Sequence, residues 1–200
     1  MSQDAAADKA RWRRRLRTIL NGISPAEQDE ASAHARELLR RQPAWQGAAV
    51  ILFYAPLAGE LDLTPLMAEA LEAGKTVALP RFSRETGTYL ACEVSDFAGD
   101  CAPGKFGIGE PGAHCAELSL KRLDLALVPG LGFDVFGRRL GRGRGFYDRL
   151  LAGIAGIKCG AAFDQQVVEQ IPSERHDASM NFILTPTRWL TASEDFSTQS

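Results

Sequence analysis

The chain has 200 residues and a mass of 21.7 kDa, with 45% hydrophobic and 24% charged residues, the size and composition of one globular domain rather than of a disordered, collagen-like or coiled-coil chain. A formal net charge of -2 and an isoelectric point near 6.0 exclude a global field that would draw it to nucleic acid or anionic lipid, so any cationic site is local. No apolar run approaches the ~20 residues needed to cross a bilayer, and the N-terminus lacks the apolar stretch of a secretory signal. Four cysteines with no CxxC pair and no zinc-like spacing to the three histidines read as reduced thiols in the cytoplasm.

Two helices are expected to open the fold. In the first, Trp12, Leu16, Ile19 and Leu20 recur at helical spacing, and Lys9 and Arg13 fall on the edge of that stripe, where they can point into a cleft. It stops near Asn21-Gly22. Ser24, Pro25 and Glu27 then form the start signal of a second helix running to about Arg41. The apolar run 48–55 reads as a strand buried on both faces. Thr64-Pro65 starts a helix that ends at Gly74, and TVALP from 76 is a second buried strand. Further strands are expected at 88–94, 123–129, 159–163 and 181–185, with helices after Gly145 and around 165–170. The alternation predicts a three-layer α/β/α fold, an open, mostly parallel sheet with helices on both faces. One domain is expected over 1–200, with a loose tail from about 191.

The densest chemical signal is VPGLGFDVFGRRLGRGRGFYDRLL, Val128 to Leu151. A buried strand runs into a glycine and arginine loop that opens a helix, and ligands of open α/β sheets bind at the carboxyl ends of strands. Gly141, Gly143 and Gly145 let backbone approach a ligand, while Arg139, Arg142 and Arg144 bring charge-assisted donors to the same place. This reads as a polyphosphate cradle. It is neither a Walker A loop, having no Lys-Ser/Thr, nor a dinucleotide fingerprint, having Phe146 in place of the third glycine. Asp148 in the first turn of the next helix suits the helix dipole whatever its role, and it equally suits a Mg²⁺ ion, which takes one or two carboxylates. Glu60 follows the first strand and reads either as an exposed loop acid or as an acceptor for a ligand's N–H groups. Arg81 reads as a surface ion-pair residue. FGIGEP at 106–111 is a third turn-rich loop folded over the same sheet edge, and Glu174, His176 and Asp177 stand close together, His176 with a structural or binding role rather than that of an acid or base.

These segments, YAPLAGELD, VALPRF, FGIGEP, the long glycine and arginine run and GAAFDQQVVEQIPSERHD, occur in order from Lys9 to about Thr185, and together they resemble the 5-formyltetrahydrofolate cyclo-ligase family. The resemblance implies a three-layer α/β fold and an ATP- and Mg²⁺-dependent ring closure that gives 5,10-methenyltetrahydrofolate, ADP and phosphate. It assigns Lys9, Arg13 and the segment Arg139, Leu140, Gly141, Arg142, Gly143, Arg144, Gly145, Phe146 and Tyr147 to ATP. It assigns Ala55, Glu60, Gly143, Phe146 and Tyr147 to the folate, with Glu60 on the pterin. Arg142, Arg144 and Tyr147 are the implied catalytic residues, and Asp148 and Asn181 the implied metal ligands. Asn181 stands where the family often has aspartate, and Phe146 where tyrosine is frequent. The expected partners are small molecules, with no nucleic acid, no membrane and a monomeric chain. The alternatives are a noncatalytic RNA-binding module using the basic first helix, and an ATP-dependent paralogue acting on another small molecule.

Overall fold

Two amphipathic helices do open the chain. The computed structural model describes residues 3–104, 108–174 and 177–193. Helix α1 (Gln3–Asn21) buries Leu16 and Leu20. Helix α2 (Pro25–Arg40) starts in a reciprocal cap, in which Glu27 N–H donates to Ser24 Oγ at 3.3 Å and the Ser24 N–H donates to Glu27 Oε2 at 2.8 Å. These bonds satisfy amides that the first helical turn leaves without partners. A short turn, α3 (Pro43–Gln46), leads to strand β1 (Val50–Leu52). Helix α4 (Pro65–Glu72) follows, and Gly74 at φ 74° reverses the chain into β2 (Thr76–Ser83).

The remaining strands are β3 (Thr88–Val94), β4 (Cys101–Pro103), β5 (Gly109–Pro111), β6 (Glu117–Leu118), β7 (Leu125–Pro129), β8 (Gly132–Asp134), β9 (Arg139–Leu140), β10 (Ile157–Ala161), β11 (Val167–Val168), β12 (Phe182–Leu184) and β13 (Trp189–Thr191). Helices α5 (Phe97–Asp100) and α6 (Phe146–Ala152) complete the described α-helices. Eight strands form the main sheet in the order β13-β12-β10-β7-β1-β2-β3-β6. The five from β12 to β2 run parallel, β13 and β3 flank them antiparallel, and β6 pairs antiparallel with β3 at the edge. Alternation along the parallel strands divides the core. Ile51, Val77, Leu125 and Leu127 pack with α2 and α4, while Leu52, Ala78, Ala126 and Val128 pack with α6 through Leu150 and Leu151.

The winding reverses at the middle of the sheet. From β1 the chain passes to its neighbour β2, whereas β7, on the other side of β1, passes to β10 farther out. Loops leaving β1 and β7 therefore diverge and open a crevice at their carboxyl ends, the general ligand position of such sheets.

Several expectations need correction. No helix forms at 165–170; a short 3-10 turn (Asp164–Gln166) is followed by β11, which pairs with β8. Gln166 is buried there, donating to the carbonyls of Gly130 and Leu131, so tertiary bonds replace a helical repeat. Strand β7 does not run directly into the arginine loop: a β8–β9 hairpin intervenes, turned by Gly137 at φ 77°. The expected tail begins in order, because Thr191 pairs with Phe182 and Ser193 N–H donates to Val135 O. Residues 194–200 lie outside the described residues.

Candidate active site

At the switch point lies a cavity of about 480 Å³, within the range of small-molecule sites. The loop after β1 supplies Ala55, Leu57 and Glu60, β2 supplies Pro80, and the end of β7 supplies Pro129 and Gly130. The segment from Arg139 to Asp148 forms one wall, and α1 brings Lys9 and Arg13 across it. Ile108, Gly109 and Glu110 of the β4–β5 hairpin and Glu174 and Asp177 complete the lining. Every residue named above for nucleotide or folate is in this lining.

The cationic wall is ordered. Arg139, carried inward on β9, is almost wholly buried; its Nη2 donates to Asp148 Oδ1 at 2.7 Å and its Nη1 to Pro129 O at 3.3 Å. Its Nε is buried without a hydrogen-bond partner. A Cβ on Gly141 would stand 3.0 Å from Arg139 Nη1, so glycine makes room for that guanidinium. Arg13 Nε donates to Gly141 O at 3.0 Å, and Gly143, at φ 103°, lets the loop turn beneath it. Lys9 Nζ donates to Glu174 Oε2 at 2.9 Å and Asp177 Oδ2 at 2.7 Å. Burial opposes the Lys9 charge, yet the bonds to Asp177 and Glu174 outweigh it and raise its pKa above 10.5.

Opposite stands Glu60, its side chain only 6% exposed. Its Oε2 accepts from Leu57 N–H at 3.0 Å and its Oε1 from Arg142 Nη2 at 2.8 Å. It is a buried carboxylate rather than an exposed loop acid, and Arg142 joins the glycine and arginine loop to it across the cavity. Between the two ends lie aromatic rings. Tyr147 packs 5.6 Å from Tyr89, with the Arg139 guanidinium 5.5 Å over its face, and Phe146 stacks edge-on to Phe82 at 5.1 Å. Burial, then the Glu60 charge, pushes the Tyr147 phenol well above its ordinary value, so it is a neutral donor. Arg144 lines the same cavity on its exposed side.

Asn181 is not brought to this site. It precedes β12, at the amino edge of the parallel sheet, and its Oδ1 accepts from Lys158 N–H at 2.8 Å near the start of β10. Asp148 follows the carboxyl end of β7, the opposite edge. The metal expectation for Asn181 is therefore corrected: its amide oxygen serves a main-chain cap. Asp148 does suit Mg²⁺, because its Oδ1 is anchored by Arg139 and no described residue bonds its Oδ2, leaving a cavity-lining oxygen of the kind that ion takes beside phosphate.

The sequence reading gave no site role to Tyr89, which it placed only in a strand, or to Pro80 of VALPRF, while Glu110 comes from the FGIGEP loop expected over this edge; all three line the cavity. Arg81 is not a surface ion-pair residue: its Nη1 donates to Gly112 O at 2.7 Å and Cys115 O at 3.2 Å. His176 and positions 106–107 of the expected FGIGEP loop lie outside the described residues.

Comparison with known proteins bears on this geometry. A family profile described as the 5-formyltetrahydrofolate cyclo-ligase family matches residues 5–186. A 5-formyltetrahydrofolate cyclo-ligase from Escherichia coli K12 is 31% identical over 177 residues, covering 86% of this chain and 97% of that protein. One from Mycolicibacterium smegmatis is 33% identical, covering 70% of this chain and 74% of its own. The solution structure of Aquifex aeolicus 5,10-methenyltetrahydrofolate synthetase superposes with a TM-score of 0.83 at 30% identity, covering 96% of each chain. The fold of a Mycoplasma pneumoniae 5,10-methenyltetrahydrofolate synthetase is also similar, with a TM-score of 0.72 at 18% identity, covering 90% of this chain and 99% of that one.

Proposed function

Because the chain belongs to the 5-formyltetrahydrofolate cyclo-ligase family, and so is an enzyme of that ligase class, we propose that it closes 5-formyltetrahydrofolate to 5,10-methenyltetrahydrofolate in this cavity, using ATP with Mg²⁺ and releasing ADP and phosphate. The observation that carries the reading is the pairing, in one crevice, of a buried carboxylate, Glu60, with an arginine and glycine wall 82 residues away in sequence. The wall supplies donors for a polyphosphate, and Glu60 supplies an acceptor for the N–H groups of a pterin ring.

In this scheme the formyl oxygen on N5 attacks the γ-phosphorus, the bond from phosphorus to the bridging oxygen breaks, and ADP leaves. The N10 lone pair then attacks the formyl carbon, N10 loses its proton, and the carbon–oxygen bond breaks with departure of phosphate. Neither step needs a side-chain nucleophile. Arg142, Arg144, Arg139, Arg13 and Lys9 neutralise and orient the phosphates, Gly141 to Gly145 let them approach the backbone, and Tyr147 offers a proton-bearing oxygen where the substrates meet. Positioning and charge stabilisation account for most of such a reaction. Asp148 would hold Mg²⁺, whose charge offsets that of the phosphates when bound. The whole chain would act as one catalytic domain in the cytoplasm.

The test is turnover: purified protein with 5-formyltetrahydrofolate, ATP and Mg²⁺ forms the methenyl product, followed by its absorbance. No product at any ATP concentration overturns the proposal. Arg144→Ala is expected to lower kcat/KM about a hundredfold, from the ~3 kcal/mol of a charge-assisted contact, while far-ultraviolet circular dichroism stays unchanged. RNA affinity falling steeply with salt, in a protein inert toward folate, would favour the binding-module alternative.

A further inference from the structure

Away from the Mg²⁺-compatible Asp148, a second group of metal-ligating atoms assembles from segments that are separate in sequence. A carboxylate oxygen of Asp100, a ring nitrogen of His114 and the sulfur of Cys115 lie within 4.8 Å of one another. None of the three lines the cavity.

The main chain sets this arrangement on both sides. Asp100 Oδ2 accepts from the N–H groups of Ser95 at 2.6 Å and Asp96 at 2.9 Å and from the Ser95 hydroxyl at 3.0 Å. That leaves Oδ1 to face His114 Nε2 at 3.1 Å. On the other side, Gly112 N–H donates to Asp100 O, Cys115 N–H donates to Gly112 O, and Arg81 clamps the carbonyls of Gly112 and Cys115. The Cys115 thiol is nearly covered and sits 3.7 Å from Asp100 O, whereas His114 is largely exposed.

A histidine and an aspartate 3.1 Å apart need no metal to explain them. The covered sulfur beside them is what distinguishes this group. Thiolate, imidazole and carboxylate together suit Zn²⁺ and metals of similar softness, whereas Mg²⁺ and Ca²⁺ take oxygen ligands alone. We propose that Asp100 Oδ1, His114 Nε2 and Cys115 Sγ form a binding site for a divalent transition metal of the zinc class, with water as fourth ligand. On binding, the thiol proton passes to solvent as sulfur bonds the metal, and nothing is oxidised or reduced. The site joins Asp100, just before β4, to the turn just after β5. It therefore pins both ends of the hairpin that carries Gly109 and Glu110 into the cavity wall.

Co²⁺ is the probe, titrated into the reduced, metal-stripped full chain. The expected result is a sulfur-to-cobalt charge-transfer absorption that saturates at one equivalent, is displaced by Zn²⁺ and persists in excess Mg²⁺. Cys115→Ser removes the absorption. His114→Ala, a change at an exposed side chain that leaves the circular dichroism intact, weakens Co²⁺ binding at least about tenfold. Absence of the absorption from the native protein overturns the proposal, as does its survival in Cys115→Ser or its displacement by Mg²⁺. The measurement requires neither folate nor nucleotide, so its outcome is independent of the proposed turnover.

Discussion

Glu60 is a carboxylate taken out of water and held by one backbone amide and one guanidinium. Replacing it with glutamine keeps its shape and removes its charge. Glu60→Gln is expected to raise the KM for folate about tenfold to a hundredfold, the worth of a charge-assisted bond, with the KM for ATP nearly unchanged; equal effects on both would contradict a pterin role. Lys9 makes a second test at this scale. Its pKa is higher folded than unfolded, so its contribution to stability is complete below the ordinary lysine value of 10.5 and is lost as pH rises through the folded value. Native protein should therefore exceed Lys9→Met in denaturant midpoint at neutral pH, and the difference should shrink above about pH 10.5.

At the scale of elements, the β8–β9 hairpin is the part that sheet periodicity could not announce. Asp134, wholly buried at its turn, explains how it is held: Oδ1 accepts from Phe136 and Arg138 N–H groups, and Oδ2 accepts from Ile171 N–H at 2.8 Å. One carboxylate thereby fixes the hairpin that ends in Arg139 and the segment that leads to Glu174 and Asp177. Asp134→Ala would leave the buried Arg138 and Ile171 amides and the partly buried Phe136 amide without this acceptor, at a cost of about 3 kcal/mol. Chemical denaturation should show that loss, accompanied by a higher KM for ATP, because both supports of the cationic wall loosen together.

Across the whole molecule, the two edges of the parallel sheet have different work. The carboxyl edge holds the cavity, and the amino edge is closed by main-chain caps such as that of Asn181 on Lys158. Asn181→Ala is accordingly expected to leave the Mg²⁺ dependence of turnover unchanged and to lower stability by about 1 kcal/mol. A shifted Mg²⁺ requirement in that variant would return Asn181 to the site.

Periodicity and caps sufficed for α1, α2, α4 and the parallel strands, because burial on one helical stripe or on both faces of a strand leaves its mark within a few residues. Strand β1 was read too long: it ends at Leu52, beyond which Phe53 keeps one bond to β2 through its N–H to Ala78 O at 2.8 Å, and Phe53 and Tyr54 are buried by the layers around them. The arginine and glycine run also declared its chemistry locally, as close approach and dense charge require those residue types side by side. Which acids would face it was not local. Glu60 meets Arg142 because the sheet reverses its winding between β1 and β7, and Glu174 and Asp177 meet Lys9 because the fold brings the segment after β11 against α1. The gathering of Asp100, His114 and Cys115 depends on the β4–β5 hairpin, and the removal of Asn181 to the far edge on the parallel pairing of β10 with β12. The sequence by itself determined the elements and the chemical character of the site, through interactions between near neighbours; only the tertiary structure decided which distant charges meet, because sheet order and register bring them together.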